Sequence, residues 1–519
     1  MKKMLFLCIS FLFLFIASDI PVQAKSTSGE IREFANVVLF AHFSGDNAEK
    51  DAAYFADRDN RDKIINLYNG ESKRSVTNYL NSISYGNFKL HNVFPQDNGT
   101  SIQSYCLSVS ESTAQNENVD YNIIKELIDN IPGVREQAVD YDRDGYVDNI
   151  TVIMKGGTEN ETGSNVTLYS HKGNYPAADR WNGKYIGTYN MLSTQRIDDV
   201  GSAVITHEFL HSLGYPDLYR GGIDDPNDSS VHPVYLWDIM ANAEPRMQYP
   251  LAYLRMAITG WLDIDTVTES REKLTLDSQK NADGNQAYIL KSPLNEQELF
   301  VVEFRKGSNT VGGDELDGAI RENAGGIIVY RVNTTVTGFS NHYGQTGVYV
   351  FRPQTGQSGY VEGNEVATVY NAALSEEAGR VTIGSDDMSA GLIDGALTFS
   401  NGMNSGIVIS NVSSNKGDQM TFDVKIPNAS DFDLWEDTNF KNTSNEEYGK
   451  NALIASIDNK QYLVANENNI IQMYQYKDEN WSAVGNNISE REGALDIKLL
   501  SCDDGLYLIY ITNSQSLRI

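Results

Sequence analysis

Val204-Ile-Thr-His207-Glu208-Phe-Leu-His211-Ser-Leu-Gly214-Tyr-Pro-Asp217 is the stretch around which the rest of this 519-residue chain is read. Two histidines four apart on a helix project from one face, a spacing suited to a single tetrahedral Zn²⁺, and the glutamate between them is placed to act on water at the metal. The chain holds only seven histidines, so this arrangement by random placement has a probability below roughly one per cent. The local pattern predicts a helix from Asp199, with Asp199 or Ser202 as N-cap and Ala203, Val204, Ile205, Phe209 and Leu213 on its buried side. Gly214 stops that helix and permits a left-handed turn that returns the chain toward the metal. Asp217 then supplies a third ligand, and two imidazoles plus one carboxylate leave a fourth position for water. His232 is the alternative third ligand, but its spacing from the helix fixes no geometry.

The full motif is H-E-x-x-H-x-x-G-x-x-D, which differs from the metzincin pattern at its last position, Asp217 in place of His. The run His207 to Tyr219, HEFLHSLGYPDLY, followed by Trp237-Asp238-Ile239-Met240, resembles the immune inhibitor A family of secreted bacterial metallopeptidases, a metzincin-like group. Similar segments are Val37 to Phe40, Ser84-Tyr85-Gly86, Asp140 to Asp148 and Glu303-Phe304-Arg305, so the resemblance covers roughly residues 34 to 425. It implies zinc-dependent endopeptidase activity on proteins, with Met240 forming a methionine turn beneath the metal.

Composition sets the outer bounds. The balance of 70 acidic against 41 basic residues, a formal charge of −29, argues against nucleic acid or an anionic membrane as partner. Lys2 and Lys3 precede an apolar run from Met4 to Ala17, and Pro21-Val22-Gln23-Ala24 supplies small-residue cleavage chemistry, the pattern of a signal peptide removed after Ala24. The expectation is a secreted, monomeric exoprotein without a transmembrane segment. Cys106 and Cys502 then remain, and their positions in different regions read as unpaired thiols.

Strand and helix alternate after Val37: Val37 to Phe43, a helix through Val76 and Ile83, strand pieces at Phe88 to Val93, a helix near Asp120 to Asn130, and a strand at Val147 to Met154. This pattern predicts an α+β, metzincin-like catalytic domain, a twisted sheet with helices, over residues 25–270. The segment 244–263 reads as a further helix. A β-rich domain is expected over 271–427. In 428–519, Trp435 and Trp481 lie 46 apart and Tyr462 and Tyr507 lie 45 apart, a weak repeat that suggests a partial β-propeller-like module or an open sheet.

The loop Asp140-Tyr-Asp142-Arg-Asp144-Gly145-Tyr146-Val147-Asp148 places carboxylates at alternate positions, a glycine at the sharp turn and another carboxylate at the ninth position, and with Tyr146 among its candidate ligands is a candidate structural Ca²⁺ site. Thr151 stands at the twelfth position, where a complete EF-hand loop needs Glu. Tyr219 and Tyr235 are candidates to donate a hydrogen bond to a developing oxyanion, and His171 to line the cleft. The resulting expectation is peptide-bond hydrolysis with Glu208 as general base and proteins or peptides as substrates. The readings set against it are a catalytically silent, calcium-dependent surface or adhesion protein and a hydrolase for a non-peptide bond.

Overall fold

The computed structural model describes residues 31–518 except for 115–118, 133–138, 156–169, 177–178, 221–231, 309–312, 321–324, 342–345, 354–368, 385–394, 429–451, 458–459, 468–469, 478–479, 490–493, 503–504 and 513–516. Residues 1–24, expected to be a signal peptide, residues 221–231 and Trp435 therefore lie outside the described residues. The chain divides into two compact units, Met1–Pro427 and Asn428–Ile519.

The first unit opens with β1 (Arg32–Ser44), α1 (Ala48–Ala56), α2 (Arg58–Asn69), α3 (Val76–Ile83), β2 (Phe88–Val93) and β3 (Tyr105–Ser110). It continues with α4 (Glu111–Ala114), α5 (Asp120–Asn130), β4 (Tyr146–Val147), β5 (Ile150–Lys155), β6 (His171–Asn174), β7 (Arg180–Trp181), β8 (Lys184–Ile186) and β9 (Thr188–Ser193). The main sheet has the order β2-β1-β5-β9-β6, with β3 also on β1. All its pairings are parallel except β6 on β9. Both faces of β1 are covered, which is why its middle, Val37 to Ala41, is a continuous apolar run. Phe34, Val38 and Phe40 join one core with α2, α3 and the metal-motif helix, while Val37, Leu39 and Ala41 join another with α5.

Two helices follow directly, α6 (Thr194–Val200) and α7 (Ser202–Ser212), and α8 (Ala252–Ala257) comes later. Where one helix from Asp199 was expected, Gly201 at φ +66° separates α6 from α7, and no side chain caps the start of α7. The long helical pattern of 244–263 is helical only over Ala252–Ala257.

The remaining strands of this unit are β10 (Asp265–Val267), β11 (Arg271–Asp277), β12 (Ala287–Leu290), β13 (Glu298–Arg305), β14 (Gly326–Asn333), β15 (Val348–Val350), β16 (Val408–Ser410) and β17 (Gln419–Lys425). They form a five-stranded sheet, β10-β12-β13-β14-β15, and a three-stranded one, β11-β17-β16. The core cluster containing α3 and α7 also contains Ala287, Ile289, Val301, Ile328 and Val332, so the core runs through residue 270 without interruption. Among the described residues, no helix is long and apolar enough to cross a membrane.

In the second unit, β18 (Ala452–Ile457), β19 (Lys460–Glu467), β20 (Ile470–Lys477) and β21 (Asn480–Ser489) make one antiparallel meander, and β22 (Ala494–Cys502), β23 (Gly505–Thr512) and β24 (Leu517–Arg518) make another. Tyr462 and Tyr507 lie in the second strand of each, β19 and β23, which accounts for their spacing without any propeller.

The expected fold class is thus corrected. The protein is sheet-rich, 36% strand against 22% helix, with several small sheets and, among the described residues, no closed barrel or propeller. An α+β, metzincin-like architecture with a propeller-like tail does not describe it. The physical reason lies in strand length: β4, β6, β7, β8, β10 and β15 have two to four residues each, too few to print a period-two pattern on the sequence.

Candidate metal centre

Helix α7 is buried on every side from Ser202 to Leu210, so it is held by packing rather than by an amphipathic face. Its end is set by Gly214 at φ +97°, where Tyr215 N–H bonds the Leu210 carbonyl (3.1 Å) and Gly214 N–H the His211 carbonyl (3.0 Å). That left-handed closure turns the chain back over the helix. It brings Asp217 to both histidines.

His207 Nε2 lies 3.3 Å and His211 Nε2 3.2 Å from Asp217 Oδ1. Ligand bonds of about 2.0–2.1 Å in a tetrahedron imply donor separations of about 3.3 Å, so the three residues fit Zn²⁺. The other ring nitrogens explain the orientation. His207 Nδ1 meets the Ile239 carbonyl at 2.9 Å and His211 Nδ1 meets the Tyr215 carbonyl at 2.7 Å. A carbonyl only accepts, so each Nδ1 carries the proton and each Nε2 presents its lone pair in the neutral imidazole. Two lone pairs aimed at a carboxylate oxygen repel unless a proton or a cation stands between them. Accordingly, although burial opposes it, Asp217, Glu208 and the Ile239 carbonyl push the His207 pKa up to about 9 in the metal-free protein. Burial likewise opposes the shift of Asp217, yet bonds from both imidazoles hold its carboxyl well below the usual range.

Glu208 is 6% exposed. Burial raises its pKa, while His207, His211 and His171 pull the other way. His171 belongs to the group through its charge and is itself fixed by Asp120, whose Oδ2 lies 2.7 Å from Nε2 and accepts the Tyr189 hydroxyl at 2.8 Å. Burial raises the Asp120 pKa, but these partners outweigh it and leave it low.

Tyr219 stacks on the His207 ring, with centroids 6.5 Å apart and planes at 26°. Tyr235 instead packs with His232, centroids 5.1 Å apart, and its hydroxyl is 3.3 Å from that of Tyr370, a residue the sequence did not single out. His232 is not in the donor cluster, which consists of His207, His211 and Asp217. Met240 is fully buried, and its carbonyl accepts the Leu218 N–H at 3.0 Å, tethering the residue after Asp217.

Several supports were invisible in the sequence. A buried ladder of side chains crosses the main sheet toward α7. Asn149 Nδ2 donates to Asn36 Oδ1 (2.9 Å) and Asn190 Oδ1 (2.8 Å), and Asn190 Nδ2 donates to the Glu208 carbonyl (2.7 Å). From the second sheet, Arg305 reaches the Trp237 carbonyl at 2.7 Å while paired with Glu303 (3.0 Å) and with Asp317 through Nε (2.9 Å). Asp238 accepts the Met240 and Leu251 N–H groups, both at 2.7 Å, and burial pushes its pKa up to about 7. These contacts fix the segment whose Ile239 carbonyl holds His207.

The acidic loop gathers Asp140, Asp142 and Asp148 into one cluster. Asp144 is not in it; its Oδ1 accepts the Tyr146 N–H at 2.8 Å, and the Tyr146 side chain is exposed. Asp148 Oδ2 accepts N–H groups of Ala35 (2.7 Å) and Tyr141 (3.0 Å), whereas its buried Oδ1 has no hydrogen-bond partner. Burial, with the Asp142 and Asp140 charges added, pushes the Asp148 pKa up to about 7. Lys184 pairs with Asp140 (2.5 Å) and Arg32 with Asp142 (3.1 Å), so part of the negative charge is already compensated. The orphaned Asp148 oxygen still fits a hard cation. In comparisons with known proteins, no family model matches the chain and no curated protein matches it.

Proposed function

We propose that the protein is a zinc-dependent endopeptidase acting on proteins. The observation that carries this reading is the convergence of His207, His211 and Asp217 at tetrahedral edge spacing beside the buried Glu208. The motif-level resemblance to the immune inhibitor A peptidases supports it, as does the pattern of residues 1–24, which favours export. Zn²⁺ held by His207, His211 and Asp217 would supply Lewis acidity.

The chain's own groups supply the proton chemistry. Glu208 accepts the proton of the attacking water and passes it to the leaving amine, a role that its upward-shifted pKa suits. His171, oriented by Asp120, adds a positive field at Glu208 when protonated. Tyr219, half-exposed against His207, lines the approach for substrate. Ca²⁺ at Asp140, Asp142 and Asp148 is a structural part of the same proposal, since a cation relieves the repulsion among these carboxylates.

The test is cleavage of a denatured, generic protein by residues 25–519 with zinc and calcium, against Glu208→Gln. The expected result is retained zinc in the variant with kcat reduced at least about 100-fold. Equal cleavage by both removes Glu208 from the mechanism. Zinc binding without cleavage by the parent favours the adhesion reading.

A further inference from the structure

The third donor is not held by its own turn alone. Asn341 is fully buried and belongs to the segment between β14 and β15, more than a hundred residues from the metal motif. Its backbone N–H donates to the Asp217 carbonyl (3.2 Å) and its Nδ2 to the Leu218 carbonyl (2.8 Å). The same amide clamps β15: Nδ2 also donates to the Val348 carbonyl (2.9 Å), and Oδ1 accepts the Val348 N–H (2.9 Å). The Ser340 hydroxyl adds a longer bond to the Asp217 carbonyl (3.4 Å). From the other side, Leu218 N–H reaches the Met240 carbonyl. Residues 217 and 218 are therefore strapped between the Met240 segment and the second sheet, and both N–H donors of the Asn341 amide, with one bond accepted by its oxygen, serve that strap or β15.

We propose that Asn341 is a positioning residue of the metal centre: it fixes the backbone of Asp217 so that this carboxylate meets the two imidazoles. The inference rests on the zinc reading. A carboxylate on a mobile turn must be ordered when the ion binds, whereas one on a strapped turn is already in place, so the strap acts on metal affinity. A purely structural asparagine acts on folding alone. Asn415 provides that contrast, because it is buried in the same unit and donates to the Gly325 carbonyl, with no bond to residues 217 or 218.

The experiment measures zinc affinity by competition with a chelator, and metal-free stability by denaturant titration, for the parent chain, Asn341→Ala and Asn415→Ala. The expected result is a loss of about 10- to 100-fold in zinc affinity for Asn341→Ala, the range found when partners of metal ligands are removed, with parental affinity in Asn415→Ala. Equal affinities in all three proteins, or equal weakening in both variants, overturn the proposal. If Asn341→Ala does not fold, Ser340→Ala replaces it: a severalfold weaker zinc site at parental stability supports the strap, and unchanged affinity overturns it. A parent that binds no zinc overturns the metal reading itself, and is told apart because the failure appears without any substitution.

Discussion

In the proposed zinc centre, a proton and the metal would compete for one lone pair of His207. With its metal-free pKa pushed up to about 9, the ring is protonated at neutral pH, and an ion entering the site must displace that proton. Zinc affinity is therefore expected to climb by about tenfold per pH unit below that value and to level off above it. Calorimetry in buffers of different ionisation heat reads the released proton directly; binding that is independent of pH and buffer contradicts the arrangement. His207, Glu208, His211 and Asp217 were legible because their relation is local, one helical turn and one glycine turn. Asn190, Arg305 and Asn341 were not, since each acts across a long sequence separation on a backbone carbonyl, which has no side-chain signature. Within the acidic loop, alternation suggested Asp144 as a donor, but the short turn spends its carboxylate on the Tyr146 N–H.

At the scale of elements, the end of α7 is the most sensitive point. Gly214 sits at φ +97°, and an added Cβ would lie 3.4 Å from Ile258 Cγ2. Gly214→Ala is expected to cost about 1–2 kcal/mol, mainly through the left-handed backbone, and to weaken zinc binding as Asp217 shifts; urea midpoints and metal titration check both. The amide ladder beneath α7 makes a second prediction. Asn190→Ala leaves the Asn149 amide without its Asn190 acceptor and takes a donor from the Glu208 carbonyl, a loss of about 1–3 kcal/mol, again visible in the urea midpoint. For the acidic loop, calcium should raise the melting temperature at pH 8 more than at pH 6. The Asp148 proton, bound below about pH 7, competes with the ion, and a scan showing no calcium effect at either pH removes the site. The β-rich character after residue 271 was read from the sequence, but the two- to four-residue strands escaped it because they take their identity from neighbours across the sheet rather than from their own residues.

The whole molecule shows why the proposed metal centre cannot be cut out of it. The cluster around α7 includes residues of β12, β13 and β14, and Arg305 of β13 grips the segment that holds His207. A fragment ending at residue 270 should fail to fold cooperatively, as near-ultraviolet circular dichroism would show. Arg305→Ala, which strands two buried carboxylates, should cost about 3–5 kcal/mol in the full chain. The acidity was plain from composition, whereas the unbroken core was not, because apolar residues announce burial without naming their partners. Finally, the strapped, converging donors tie folding to supply. An ion that binds only the folded centre adds about 4 kcal/mol when present at a thousand times its dissociation constant. Scarcity of zinc would then do more than silence each molecule: it would shorten the molecule's survival, so that the surroundings set how much of the protein persists as well as how fast it works.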